Sequence, residues 1–160
     1  MKGTLAMPSI KTSIVIDAPP SIVRAAFLDF PSFPSWNTFI TSVTPPTPDP
    51  TPGTALLITL GGAEEPLELV VVNNTPKRFS WKGHIGPRWV FRGHHFLDFE
   101  PYGEMGANGE TSQCKLLSYE KYGGILASFY LLFFRKWTEN GYIEMNNGLK
   151  DKAERMARGL

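Results

Sequence analysis

The stretch Ser128–Arg158, SFYLLFFRKWTENGYIEMNNGLKDKAERMAR, sets the architecture. It contains no proline. Phe134, Trp137, Gly141, Met145, Leu149, Ala153 and Met156 recur at steps of three and four, which puts them on one face of a long helix. Lys136, Glu139, Glu144, Asn147, Lys150, Asp151, Glu154 and Arg155 fall largely off that stripe. One long amphipathic helix closing a chain of 160 residues needs a surface on which to bury its stripe.

The residues before it supply that surface. TSIVI (12–16) reads as a strand stopped by Pro19 and Pro20. A short helix from about Ser21 to Leu28 follows, with Ser21 as its expected N-cap; Pro31 and Pro34 break it and start a second short turn ending near Trp36 and Asn37. TFITSV (38–43) is a second strand. Five more segments of strand pattern come next: TALLITLGG (54–62), PLELVVVNN (66–74), RFSWKGHI (78–85), RWVFRGHHFLDFEP (88–101) and TSQCKLLSYEKYG (111–123). Gly, Pro or Asn turns separate them, so they form an antiparallel meander. The expected class is α+β: a curved antiparallel sheet wrapped around the C-terminal helix, with two short helices filling the gap. The whole of 1–160 reads as one domain.

Composition excludes several function classes. Sixteen Lys and Arg against 15 Asp and Glu give a net charge of +1, which makes no electrostatic case for nucleic acid or an anionic membrane. The single cysteine, Cys114, allows neither an internal disulfide nor a CxxC metal site and fits a reducing, cytoplasmic setting. The N-terminal MKGTLAMPSIKTS lacks a secretory apolar core. Gly123–Phe134 is too short to span a bilayer and reads as strand end, turn and helix start. No metal or cofactor site is evident, and no phosphate loop or nucleophile elbow occurs. Five prolines between Pro45 and Pro52 mark a stiff, exposed loop, expected at the rim of a site.

The polar residues on apolar strand faces are the candidates for chemistry. In RWVFRGHHFLDFEP (88–101), Trp89, Phe91, Gly93, His95, Leu97 and Phe99 share one face; Val90, Arg92, His94, Phe96, Asp98 and Glu100 share the other. His95 therefore points to the concave side and His94 to solvent. On the next strand the lysines place Cys114, Leu116, Ser118, Glu120 and Tyr122 inward. Buried polar groups need partners, so His95, Ser118 and Glu120 must bond each other, water or a ligand.

IDAPPSIVRAAFLDFPSFPSWNTFI, WKGHI, FRGHHFLDFEP, YEKYGG and MNNGLKDKAE, in that order, resemble the polyketide cyclase/dehydrase-like branch of the START/Bet v 1 (SRPBCC) superfamily. Trp36-Asn37, Gly93-x-His95 and Met145-Asn146 carry the resemblance most specifically. It implies a helix-grip fold with an internal cavity for an apolar small molecule; a hydrophobic, aromatic or polyketide-like ligand is expected, in a monomer or homodimer. Any chemistry is expected to be cofactor-independent cyclisation, dehydration or isomerisation. His95 is the expected general acid or base, with a pH limb near neutrality, and Glu120 orients it or shares its proton. Trp36, Phe91, Gly93, Ser118, Tyr122, Trp137, Gly141 and Met145 are the expected substrate contacts, with Tyr119 a weaker donor candidate. Gly141 is read as leaving ligand space beneath the helix. A non-catalytic lipid or metabolite carrier, in which His95 only anchors a polar group, is the second reading, and a co-chaperone-type interaction module the third.

Overall fold

The structure is a computed structural model and describes residues 7–45 and 47–160. Residues 1–6, where a leader was sought, and Pro46 of the proline-rich segment lie outside it. Strand β1 (Ser9–Ile16) leads into α1 (Pro20–Leu28), a 3₁₀ turn (Phe30–Ser32) and α2 (Phe33–Trp36). Then come β2 (Ile40–Thr44), β3 (Ala55–Leu60), β4 (Leu67–Asn74), β5 (Arg78–Ile85), β6 (Phe91–Met105) and β7 (Thr111–Gly123), and finally α3 (Ala127–Ala157). All seven strands form one antiparallel sheet in the order β1-β7-β6-β5-β4-β3-β2. Register shifts between Ile40 and Ser42, Val71 and Asn73, and Tyr102 and Met105 mark bulges, which increase local twist and bend the strands. The sheet thus curves around α3, the helix-grip arrangement.

Helix α1 starts on Pro20, whose missing N–H costs nothing at a helix start, and Pro19 rather than Ser21 holds the N-cap position. The Ser21 hydroxyl instead donates to Glu110. Asn37 explains its pairing with Trp36: its Oδ1 accepts from the amides of Phe39 and Ile40 and fixes the turn from α2 into β2. Asn146 donates to Thr12 Oγ1 and ties α3 to β1. Phe27, Phe30, Phe33, Phe79 and Phe99 fill the core between α1, α2 and the sheet with edge-on and tilted rings.

The buried face of α3 agrees with the sequence stripe only from Gly141 onward, through Met145, Leu149 and Ala153. Nearer its start the helix buries Leu131, Thr138 and Tyr142, while Phe134 and Trp137 are half exposed. That part passes over a cavity rather than over packed core. Met156 is also exposed, at the last turn of the helix. The turn from β7 into α3 requires glycine at Gly124: φ is 97°, and a Cβ would stand 2.4 Å from the Val90 carbonyl oxygen.

Candidate functional site

The alternation read from β6 and β7 holds. His95 is 2% exposed, and Cys114, Leu116, Ser118 and Tyr122 are buried on the same side. His95 and Glu120 are cross-strand partners, yet each bonds elsewhere. His95 Nε2 lies 3.0 Å from Ser118 Oγ, and its ring packs 4.6 Å from that of Tyr142. Glu120 Oε2 accepts from two phenols, Tyr122 at 2.7 Å and Tyr142 on α3. A Cβ on Gly93 would stand 2.4 Å from Glu120 Oε1, so the glycine makes room for the carboxylate rather than for the imidazole.

This cluster ends a cavity of about 270 Å³ between the sheet and the first half of α3. Its other walls are apolar: Ile58, Leu67 and Leu69 from the β3–β4 hairpin, Trp81 from β5, Phe91 from β6 and Phe39 after α2. Trp137 closes one side, edge-on to Phe39 at 5.2 Å. The Tyr130 and Thr138 hydroxyls, 2.6 Å apart, form a second polar spot on the helix side. Walls of this kind with a few convergent polar groups suit a small, largely apolar molecule.

Burial sets the electrostatics. It raises the Glu120 carboxyl above the usual range, and the two phenol hydrogen bonds oppose that rise without cancelling it. Burial, with a smaller contribution from a charge on His94, pushes His95 down to about 3. The Tyr122 and Tyr142 phenols are held well above their ordinary value by burial and by Glu120, so both are firm hydrogen-bond donors. His95 is therefore neutral at physiological pH, and the expected limb of an imidazolium near pH 7 does not apply. Glu120 holds its proton to higher pH than an exposed carboxyl does. Cys114 is buried, its thiol pushed up to about 12, and is inert.

Of the expected site residues, the structure brings His95, Glu120, Phe91, Tyr122 and Trp137 to this cavity. Five others do not line it. Trp36 packs edge-on against Phe33, donates to Ser32 Oγ and lies under the Lys152 ammonium, at the contact between α2 and α3. Ser118 is fully buried behind His95, and Met145 lies in the solid core. Gly93 lies behind the Glu120 carboxylate. Gly141 marks close packing, not ligand space: a Cβ there would stand 2.2 Å from the Phe39 ring.

Other expectations also change. Tyr119 lies on the convex face, stacked on Phe96 and bonded to Arg78 and Asp98. His94 is half-buried there, stacked on Phe96 at 3.9 Å with its Nε2 3.2 Å from Ser80 Oγ. Trp89 sits in the β5–β6 turn, exposed, and not on the inner face. The described residues of the proline-rich segment line no part of the cavity; Asn74 Nδ2 pins it at Asp49 and the Pro50 carbonyl, and Pro50 is buried.

Sequence reasoning missed Thr138 and Tyr142. Their signal is a second, polar-capable row, Thr138, Tyr142 and Asn146, at spacing four beside the apolar stripe. Among the described residues no group of three or more His, Cys, Asp or Glu side chains is placed to hold a metal ion. None of their helices is long and apolar enough to cross a membrane.

Comparison with known proteins places this geometry. A family described as polyketide cyclase / dehydrase and lipid transport matches residues 7–154. No curated protein matches the sequence. Solved structures share the fold at low identity. A hypothetical protein of Helicobacter pylori superposes with a TM-score of 0.73 at 12% identity, over 95% of this chain and 91% of its own. The aromatase/cyclase Zhui of a Streptomyces species gives 0.65 at 12%, over 93% and 94%. Norcoclaurine synthase of Thalictrum flavum, in complex with dopamine and hydroxybenzaldehyde, gives 0.65 at 11%, over 91% and 86%.

Proposed function

The chain belongs to the polyketide cyclase/dehydrase and lipid-transport family, and from that premise we propose that its cavity takes a small aromatic or polyketide-like carbonyl compound and catalyses its cofactor-independent cyclisation, dehydration or isomerisation. The reading is carried by Glu120, a carboxyl with a raised pKa and two phenol partners at the end of an apolar cavity. A carboxylate in such surroundings is a strong base toward a carbon-bound proton, and apolar walls exclude competing water. Glu120 takes a proton from the carbon beside the carbonyl. The electron pair moves to the carbonyl oxygen, where Tyr142 or Tyr122, released from Glu120 once the proton has neutralised that carboxylate, donates its hydrogen bond. The pair then returns from oxygen: to a second carbon that takes the proton back from Glu120 for isomerisation, to expel a β-hydroxyl that Glu120 protonates for loss of water, or to form a bond to a second carbonyl carbon, whose oxygen takes the Glu120 proton, for cyclisation. His95, neutral and bonded to Ser118, holds the Tyr142 ring in place and is a positioning residue. The norcoclaurine synthase complex, with two aromatic molecules in the same fold, supports an aromatic ligand by analogy.

One observation favours a carrier instead. Glu120 is satisfied by Tyr122 and Tyr142, and His95 by Ser118, with no ligand needed. Native mass spectrometry of freshly purified protein, followed by incubation of any released compound with the protein, separates the two. Conversion that Glu120→Gln abolishes supports the enzyme. Recovery of unchanged compound after long incubation leaves only the carrier.

A further inference from the structure

The end of the molecule where the cavity reaches the surface carries apolar side chains that nothing covers. Ile125 is 68% exposed, Phe129 59%, Leu132 76%, Phe133 63% and Trp89 64%. They form one patch. The amides of Ile125 and Leu126 donate to the carbonyls of Trp89 and Val90, which pins the β5–β6 turn to the start of α3. Phe129 and Phe133 pack ring to ring at 4.7 Å one turn further on. Isolated exposed apolar residues need no explanation, but a contiguous aromatic and aliphatic patch marks an interaction surface.

Charge identifies the partner. Residues 82–97 and 121–138, which build this end, contain no Asp or Glu and hold six of the chain's 16 Lys and Arg: Lys82, Arg88, Arg92, Lys121, Arg135 and Lys136. The near-zero net charge hides this asymmetry, since the rest of the chain is left net acidic. None of the six makes an ion pair among the described residues, whose ion pairs involve Arg24, Arg78, Lys150 and Lys152. Four of the six, with His84 and His94, line an outer groove of about 350 Å³ beside the patch, and Glu68 is part of the same lining. The positive charges of Lys82, Lys121 and Arg78, after burial, hold His94 below its ordinary value. A second copy docking the same patch against itself would bring the two cationic rims together and be repelled.

We propose that this end of the molecule docks on an anionic lipid bilayer, with Trp89, Ile125, Phe129, Leu132 and Phe133 entering the interface and the flanking Lys and Arg meeting headgroup phosphates. Aromatic rings with a cationic border are the composition that lies in a membrane surface without spanning it. Ile85 and Trp137, half exposed beside the patch, also line the cavity, so its mouth would open toward the acyl chains. Exchange of ligand between bilayer and cavity rests on the proposed function; the docking itself does not.

Co-sedimentation of the intact protein with vesicles tests this. Vesicles of phosphatidylcholine with phosphatidylglycerol should retain the wild type, phosphatidylcholine alone should retain it poorly, and added salt should release it. The triple variant Phe129→Ser, Leu132→Ser, Phe133→Ser should keep its melting temperature and partition at least about tenfold more weakly. Arg88→Glu with Arg135→Glu and Lys136→Glu should do the same, at about fivefold or more per charge. The charge variant and the salt series decide the matter even where the apolar triple variant fails to fold. Wild-type protein left in the supernatant with both vesicles, or equal retention on both, overturns the proposal. So does a wild-type dimer that the triple variant turns into a monomer, which would make the patch a subunit interface. Ligand retained in the cavity of a protein that ignores vesicles sinks the docking alone.

Discussion

Glu120 and His95 face each other across β6 and β7, and burial drives both toward their neutral forms, which tilts stability with pH in opposite directions. Below its ordinary 6.5 the unfolded His95 takes a proton that the folded one refuses down to about 3. Its contribution is therefore complete above 6.5 and lost as pH falls, at up to about 1.4 kcal/mol per pH unit. For Glu120 the folded state holds the extra proton between its ordinary 4.5 and its raised value, so stability falls as pH rises through that window. From 4.5 up to the raised value of Glu120 the two contributions oppose, and the wild-type slope is reduced there. Glu120→Gln removes one side. From 6.5 down to 4.5 it should lose up to about 2.7 kcal/mol, two units at the full slope. His95→Gln should show the opposite tilt, stability declining as pH rises from 4.5. Half-buried His94, also lowered by burial and nearby cations, adds a smaller slope of the His95 sign to both variants. Denaturant unfolding across this pH range reads the slopes directly, independently of any constant offset from the substitutions. Parallel profiles for wild type and both variants would refute the assignment of buried, neutral groups at this site.

Two further outcomes follow from packing. Gly141→Leu should destabilise by roughly 1–3 kcal/mol in thermal or chemical unfolding despite its gain in helix propensity, because its side chain meets the Phe39 ring; unchanged or raised stability would restore an open space beneath the helix. Replacing residues 45–52 by a short Gly-Ser connection should lower the melting temperature, since Asp49 and Pro50 lose Arg24 and Asn74, while affinity for any cavity ligand stays unchanged in calorimetry; a large change in affinity would return the segment to the rim of the site.

The strand phase was legible because period two is unforgiving: one lysine row on β7 and one apolar row on β6 place His95, Ser118 and Glu120 inward together. The long helix was legible from its stripe and the absence of proline. Its first half was not, because an amphipathic pattern assumes packed core beneath it, whereas Phe134 and Trp137 flank a cavity and Thr138 and Tyr142 turn inward to it. Gly141 misled for a related reason. A helix glycine signals missing volume, but sequence cannot say whether a ring such as Phe39 already fills it. The partner of Glu120 was equally hidden, since Tyr142 lies on another element and 22 residues away. Net charge averaged over the chain concealed the basic end, because only the fold gathers residues 82–97 and 121–138 onto one side.

Binding of a small aromatic carbonyl compound among Ile58, Leu67, Leu69 and Glu120 is open to a site-resolved test by methyl NMR. In protein labelled at Ile and Leu methyls and titrated with acetophenone, Ile40, Ile58, Leu60, Leu67 and Leu69, which line the cavity, should show saturable shifts. Leu97 and Leu116, buried elsewhere in the core, should stay still, and Glu120→Gln should weaken the titration. Cavity methyls that do not move, while exposed Leu132 does, would contradict it.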